Sequence, residues 1–212
     1  MAGDHFELDV VLGAECKVIL THQSATKILS MADGQIATQD VYLTIGDRAR
    51  LDYLPGLNIP FRGAAFRQKV HVELAQSCEL GLMESWAMGR IARNEYMNFQ
   101  LLDSSTSVHC AGSLLYRDRL FLSDGDCAAG LMENYRYYSS GYWFGPSLPS
   151  GTACPIQQNN PLVVLGPIRP GEAFFRCLAQ DSTSLENAET FCLDAIWKSR
   201  GEQPVSLARF RS

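Results

Sequence analysis

Apolar and polar residues alternate along the first ninety residues in a pattern that occurs three times. The three units are Val10–Leu20, Leu43–Tyr53 and Val72–Leu82. Each has two alternating apolar residues, a short polar turn and two more alternating apolar residues, which indicates half-buried strands. The units begin at residues 10, 43 and 72, hence 33 and 29 residues apart. A strand repeat of this period predicts a solenoid of stacked sheets, with a Greek-key sandwich as the competing architecture.

One position of the repeat holds Cys16, Ala49 and Cys78 in the three units. A position that accepts alanine favours a small buried side chain, and free cysteine is among the residues most often buried. We therefore expect Cys16 and Cys78 to lie in the core as structural residues.

The pattern after the repeat divides the rest of the chain. Further strands are predicted at Asn98–Leu102, Ser107–Cys110, Leu114–Leu122, Pro161–Leu165 and Ala173–Leu178. The segment 124–160, rich in glycine, proline, serine and asparagine, is typical of loops and short strands. We expect a single domain over 1–212, with a β-repeat core (1–123), an irregular part (124–160) and two strands plus a helix (161–212).

The C-terminal helix has clear signals at both ends. Thr183 and Glu186 have the spacing of a capping box, which predicts Thr183 as the N-cap. Leu185, Ala188 and Cys192 follow at helical spacing and predict a buried stripe. Gly201 suits the left-handed position after the last turn. The predicted fold is therefore mainly β, a solenoid-like stack with a C-terminal α-helix.

Composition narrows the classes of function. The 212 residues have a formal net charge of −5 and no runs of Lys or Arg, so nucleic-acid binding is not expected. No apolar run approaches the ~18–20 residues that span a bilayer, and Met1–His5 lacks the character of a signal peptide. Seven cysteines without a CxxC motif favour reduced thiols. We expect a cytoplasmic protein without a membrane segment.

Common catalytic motifs are missing, because the sequence has no GxxxxGK[ST], GxGxxG, HExxH or GxSxG pattern. None of the four histidines has a spacing that defines a metal site. An enzyme remains an alternative, since β-solenoids include carbohydrate-active enzymes that use carboxylate pairs. Its candidates would be Asp118, Asp124 and Asp126, although Asp124 and Asp126 flank a glycine as in a turn.

Strand parity suggests a line of polar side chains in the interior. Continuing the repeat places His22, Pro55 and Glu84 in equivalent positions, so His22 and Glu84 face inward if parity holds. Two strand spacings separate them by roughly 10 Å, which is too far for one metal ion but suits successive weak sites. Asp52 faces the opposite side. The competing interpretation is that parity breaks near Pro55 and that these side chains are solvated.

Five segments resemble the motifs of one family. Gly3-Asp4 resembles a glycine-rich GGD element, Thr21–Ile28 a TxxxATK segment and Leu51–Pro55 an LEWLP element. Leu80–Glu95 is similar to a block GWE…LGRxAxGE, and Leu115–Leu120 resembles a later L…DRL strand. In this order and spacing, they resemble the UreD (UreH) family of urease accessory proteins.

The resemblance implies a right-handed β-helical fold and a maturation scaffold that is not an enzyme. Such a scaffold binds apo-urease and UreF, and through UreF the GTPase UreG, to support nickel insertion. It implies no tightly bound cofactor, only nickel in transit. Glu84, His22 and Asp52 are then the candidates for a nickel route. Gly89 and Arg90 are candidate partner contacts, although a turn at Gly89 and an Arg90–Glu95 pair would also explain them. A generic β-solenoid binding module remains the alternative.

Overall fold

A computed structural model describes residues 3–123, 132–146, 154–158 and 160–207 of the chain, the segment 154–158 through its backbone. These residues form strands and one α-helix, α1 (Ser182–Ser199). The strands of the three repeat units are β1 (His5–Leu12), β2 (Lys17–Thr21), β3 (Thr26–Ile28), β4 (Ala37–Ile45), β5 (Arg50–Leu54), β6 (Leu57–Pro60), β7 (Ala65–Leu74) and β8 (Glu79–Ala87). The later strands are β9 (Leu101–Cys110), β10 (Ser113–Ser123), β11 (Tyr137–Phe144), β12 (Cys154–Gln158), β13 (Leu162–Arg169) and β14 (Glu172–Ala179).

The three units stack as coils of a β-solenoid of about 3 turns. Strands β1, β4 and β7 pair in parallel in the first sheet, sheet A, and β2, β5 and β8 do so in the second, sheet B. The register aligns Leu12 with Ile45 and Ile45 with Leu74, which reproduces the offsets of the sequence repeat. The predicted solenoid is confirmed, because consecutive units pair in parallel and a Greek key pairs its hairpin strands in antiparallel fashion.

Both sheets continue beyond the third coil. In sheet A, β9 pairs in parallel with β7, and β10 folds back as its antiparallel neighbour, giving the order β1-β4-β7-β9-β10. In sheet B, β11 pairs with β8, and β14, β13 and β12 follow. The segment 124–160, expected to be irregular, thus supplies β11 to the middle of sheet B. Residues Ser139–Trp143 are buried on both faces of that sheet, so they lack the alternation by which a strand is recognised.

Two apolar layers hold these elements together. Between sheets A and B lies a core of alternating side chains, among them Val41, Leu51, Val72 and Leu80. The outer face of sheet B is covered by α1, which packs Leu185, Cys192 and Ile196 on it. Within the described residues, no helix combines the length and apolar character that a bilayer crossing needs.

The helix begins two residues earlier than its sequence signals predict. Asp181, not Thr183, is the N-cap, because its carboxylate accepts a hydrogen bond from the Ser184 N–H at 2.8 Å. This bond and those from Asn160 and the Ser184 hydroxyl lower the pKa of Asp181. The expected glycine is found at the other end, where Gly201 has a left-handed φ of 74°.

The cysteine position of the repeat is buried in two coils and open in the first. Ala49 and Cys78 are buried as predicted, whereas Cys16 is exposed, so that part of the prediction is wrong. The reason is the stack itself. Coil two lies between coils one and three, but no described segment covers the outer side of coil one.

Candidate functional site

A row of polar side chains crosses the inner face of sheet B. The register places Glu84 on β8 beside Ser140 on β11, and Ser140 beside Arg176 on β14. Along β8, Glu84 lies between Leu82 and Trp86, which belong to two separate apolar clusters. The row therefore separates the apolar interior into two parts.

A matching polar row crosses the inner face of sheet A. Gln39, Gln68 and Ser104 are neighbours on β4, β7 and β9. Gln68 Nε2 donates a hydrogen bond to Glu84 Oε1, so the two rows face each other across the interior. We call the two rows together the polar layer.

Glu84 lies at the centre of the polar layer and is buried. Besides Gln68, its carboxylate faces the hydroxyl groups of Ser104 and Thr106, each of which donates to Oε2 at 3.5 Å. A cavity of about 10 Å³ adjoins it, with Asp118 in its lining. That is about the volume that one water molecule needs.

Burial raises the pKa of Glu84 to about 7, and the negative charge of Asp118 acts in the same direction. The hydrogen bonds from Gln68, Thr106 and Ser104 oppose this shift, because they stabilise the ionised carboxylate. The side chain is therefore poised between its neutral and ionised forms near neutral pH. A nearby cation would favour the ionised form.

At the open end of the stack, His22 follows β2 directly. Its ring meets the ring of Tyr53 edge-on, with centroids 6.4 Å apart. Tyr53 is buried, and this burial, with the charge of Glu84 acting in the same direction, raises its pKa. Partial burial lowers the pKa of His22. The ring also borders a cavity of about 440 Å³, shared with Gln39 of the polar layer.

At the other end, the polar layer reaches Asp118 on β10. Asp118 Oδ1 lies 2.9 Å from Arg176 Nη2, which also donates to the Tyr116 hydroxyl at 3.0 Å. Both charged side chains are partly exposed. The polar layer thus runs from Gln39, at the cavity that His22 borders, past the buried carboxylate of Glu84, to an ion pair near the surface.

Asp52 lies on the opposite face of sheet B, as its parity requires. It is fully buried under α1, where it accepts hydrogen bonds from Trp197 Nε1 at 3.0 Å and Arg200 Nη1 at 2.9 Å. The structure therefore places Glu84 in the polar layer, His22 at the cavity that Gln39 also borders, and Asp52 on the opposite face of sheet B.

Gly89 and Arg90 form the corner that follows β8. Gly89 has a φ of 123°, and a Cβ atom there would overlap the backbone oxygen of Glu95. Arg90 pairs with the Glu95 carboxylate through Nε at 2.7 Å and Nη2 at 2.5 Å, and its guanidinium lies 4.2 Å from the Phe61 ring centroid. The tight corner therefore accounts for Gly89, and the ion pair with Glu95 accounts for Arg90, as structural residues.

Sequence reasoning missed the partners of Glu84. Gln39 and Gln68 occupy equivalent positions of adjacent coils, with inward parity in otherwise apolar strands. This recurrence of inward glutamines in adjacent coils is the sequence signal that could have identified them. No comparable sequence signal points to Arg176, because it belongs to a strand outside the repeat. In the part of the chain that the structure describes, no group of three or more His, Cys, Asp or Glu side chains could hold a metal ion together.

Fold and site together define a class of protein, a short β-solenoid with a polar layer between its sheets. The family model of the UreD urease accessory protein matches residues 1–212. The chain belongs to the UreD family of urease accessory proteins.

Curated relatives agree with this assignment. The urease accessory protein UreD of Deinococcus radiodurans is 32% identical over 191 residues, which cover 89% of this chain and 69% of that protein. The UreD protein of a Ruegeria species is 35% identical over 61% of this chain and 43% of its own length. UreH of Helicobacter pylori strain P12 is 34% identical over 58% of this chain and 46% of its own. The alignments thus leave 31% to 57% of these relatives unmatched.

Proposed function

We propose that this chain acts in urease maturation, in the cytoplasm, as a scaffold that binds apo-urease together with UreF and UreG. Nickel is its cargo, and the polar layer is the route along which the ion passes. The observation that carries the proposal is the buried carboxylate of Glu84 in a polar layer between two apolar clusters, in a chain of the UreD family.

The chemistry of the layer suits an ion in transit. Imidazole and carboxylate groups are ligands for divalent first-row metals, and thiolate clusters hold such metals more tightly. Glu84 and Asp118 offer one such group each at the small cavity of the layer, and His22 offers another at the larger cavity that Gln39 borders. Because single ligands bind weakly, a Ni²⁺ ion would be able to enter and also to leave.

Glu84 has the central role in this proposal. Its carboxylate is the only ionisable acid among the four side chains that hydrogen-bond one another there, the others being Gln68, Ser104 and Thr106. With a pKa of about 7 it can bind either a proton or a cation near neutral pH. His22 is the candidate at the larger cavity. Asp52 is the weakest candidate, because Arg200 and Trp197 already occupy its oxygens.

Two other functions remain alternatives. A generic protein-binding module would use the same scaffold without a metal route. A carbohydrate-active enzyme would need a carboxylate pair, but Asp118 is bound to Arg176, and Asp124 and Asp126 lie outside the described residues.

The test is co-expression of the tagged chain with apo-urease, UreF and UreG, followed by pull-down and a nickel-dependent urease assay. We expect co-purification and restored urease activity. Glu84→Gln should keep the complex but lower activation, since it removes the charge and keeps the shape. Glu186→Gln, an exposed change on α1, is the matched control. Normal urease activation by Glu84→Gln would rule out the polar layer as the nickel route. A folded chain that retains no partner in the pull-down would favour the generic protein-binding module.

A further inference from the structure

The outer face of sheet A is acidic on one side and mainly basic on the other. The acidic side, on β1 and β4, carries Glu7, Asp9 and Asp40. The other side carries the basic residues Arg67, Lys69, Arg117 and Arg119 on β7 and β10, and two acidic residues, Glu73 on β7 and Asp103 on β9. The boundary between the two halves runs between β4 and β7, where Asp40 is the register neighbour of Lys69.

Side chains on this face are held in place by contacts with one another. Tyr42 stacks on His71 at the charge boundary, with ring centroids 5.3 Å apart and planes 13° apart. Arg67 and Arg119 both pair with the carboxylate of Asp103, at 3.0 Å and 2.9 Å. A surface that is ordered before binding loses less conformational entropy when a partner covers it.

Large apolar side chains are also exposed here. Val11 is 71% exposed, Leu114 52%, Phe121 49% and Tyr42 40%, and all four lie on the outer face of sheet A by register. None of the described segments packs over them. Aromatic and arginine side chains are enriched at protein interfaces, so this composition is that of a contact surface.

We propose that this face is a homodimer interface, in which two copies pack their A sheets together about a twofold axis. The axis runs parallel to the strands, above the boundary between β4 and β7. It brings Asp40 of each copy opposite Lys69 of the other and the two Tyr42–His71 stacks beside each other. It also places Glu7 of each copy over β9 of the other, next to Arg119 on the adjoining strand.

The separation of charge selects this axis. A twofold axis in the same plane but perpendicular to the strands would place β1 on β1 and β10 on β10. Acidic side chains would then face acidic ones, and basic ones would face basic ones, which is unfavourable. Only the parallel axis makes the two halves complementary, and an isologous interface must be complementary to itself.

The face is small for a stable protein interface. Four overlapping strands spaced ~4.8 Å apart, each ~8 residues long, give a footprint of roughly 500 Å² per copy. The total of about 1,000 Å² is at the lower end of specific interfaces. We therefore expect a weak dimer that depends on concentration and that dissociates as salt screens the charges. The proposal is independent of the nickel route.

Analytical ultracentrifugation of the full chain tests it, over a concentration series at low and high salt. We expect a monomer–dimer equilibrium at low salt that shifts to monomer at high salt. Asp40→Lys and Lys69→Asp should each weaken the dimer on the order of tenfold, and the double variant should restore it. Tyr42→Arg, which puts two like charges beside the axis, should abolish it.

Glu186→Lys on α1 is the control, because this exposed residue lies on the far side of sheet B and should not change the dimer. Circular dichroism of each variant confirms the fold. A wild-type chain that stays monomeric at every concentration overturns the proposal. So does a dimer that the two single charge reversals leave intact, or one that the double variant fails to restore.

Discussion

Arg200, just after the end of α1, donates a hydrogen bond from Nη1 to Asp52 Oδ1 on β5 at 2.9 Å, and both side chains are buried. The same guanidinium donates through Nη2 to the backbone oxygen of Leu80 at 3.1 Å. A Cβ atom at Gly81 would overlap Asp52 Oδ1, so glycine is required beside the pair. The contact joins the end of α1 to the second and third coils of the solenoid.

Replacement of Asp52 with alanine should destabilise the fold strongly. The change leaves the Arg200 guanidinium buried without its carboxylate, which typically costs about 3–5 kcal/mol. Urea denaturation followed by circular dichroism measures the free energy of unfolding. Glu186→Ala, an exposed carboxylate on the same helix, should change it by about 0.5 kcal/mol or less. A small effect of Asp52→Ala would mean that the pair does not anchor the helix.

Replacement of Glu84 with glutamine should change how stability depends on pH. Burial raises the pKa of Glu84 from 4.5 to about 7 in the folded chain, so between these values the folded state binds more protons than the unfolded state. Its contribution to stability is therefore fully present below pH 4.5 and is lost as the pH rises through 7. The full change is roughly 3–4 kcal/mol.

The glutamine variant does not titrate at this position and keeps an oxygen that can accept from Gln68. Relative to wild type, it should gain stability between pH 5 and pH 8, as urea denaturation at both values measures. If the free energy of unfolding changed with pH in the same way for both proteins, Glu84 would titrate near its ordinary pKa.

Gly89→Ala should be more disruptive than the same change at Gly112. Both glycines have a positive φ, 123° and 76°, so alanine is strained at each. Only at Gly89 would the added Cβ overlap a backbone atom, the oxygen of Glu95, whereas Gly112 has open space around it. Gly112→Ala should cost about 1 kcal/mol and Gly89→Ala clearly more. Thermal unfolding of the two variants makes the comparison, and equal losses would show that the Gly89 corner can rearrange.

The sequence repeat predicted the solenoid in residue-level detail, because the offsets that relate its units are also the pairing registers of β4 with β1 and β7. Parity then indicated which faces Glu84 and Asp52 occupy. It did not indicate β11, since a strand buried on both faces has no alternation. It also did not indicate Arg176, whose place opposite Asp118 depends on pairing between strands that are distant in sequence.

Cysteine reactivity should distinguish the first coil from the third coil and from β14. Cys16 is exposed, whereas Cys78 is buried and its pKa is raised by burial to about 11. Burial likewise raises the pKa of Cys177 to about 12. Because the thiolate is the reactive form, brief alkylation of the native chain at pH 8 should modify Cys16 and spare the other two. Peptide mass spectrometry measures the modified fraction of each site. Alkylation in urea is the control, since unfolding should make all three react, and rapid modification of Cys78 in the native chain would mean that the third coil opens.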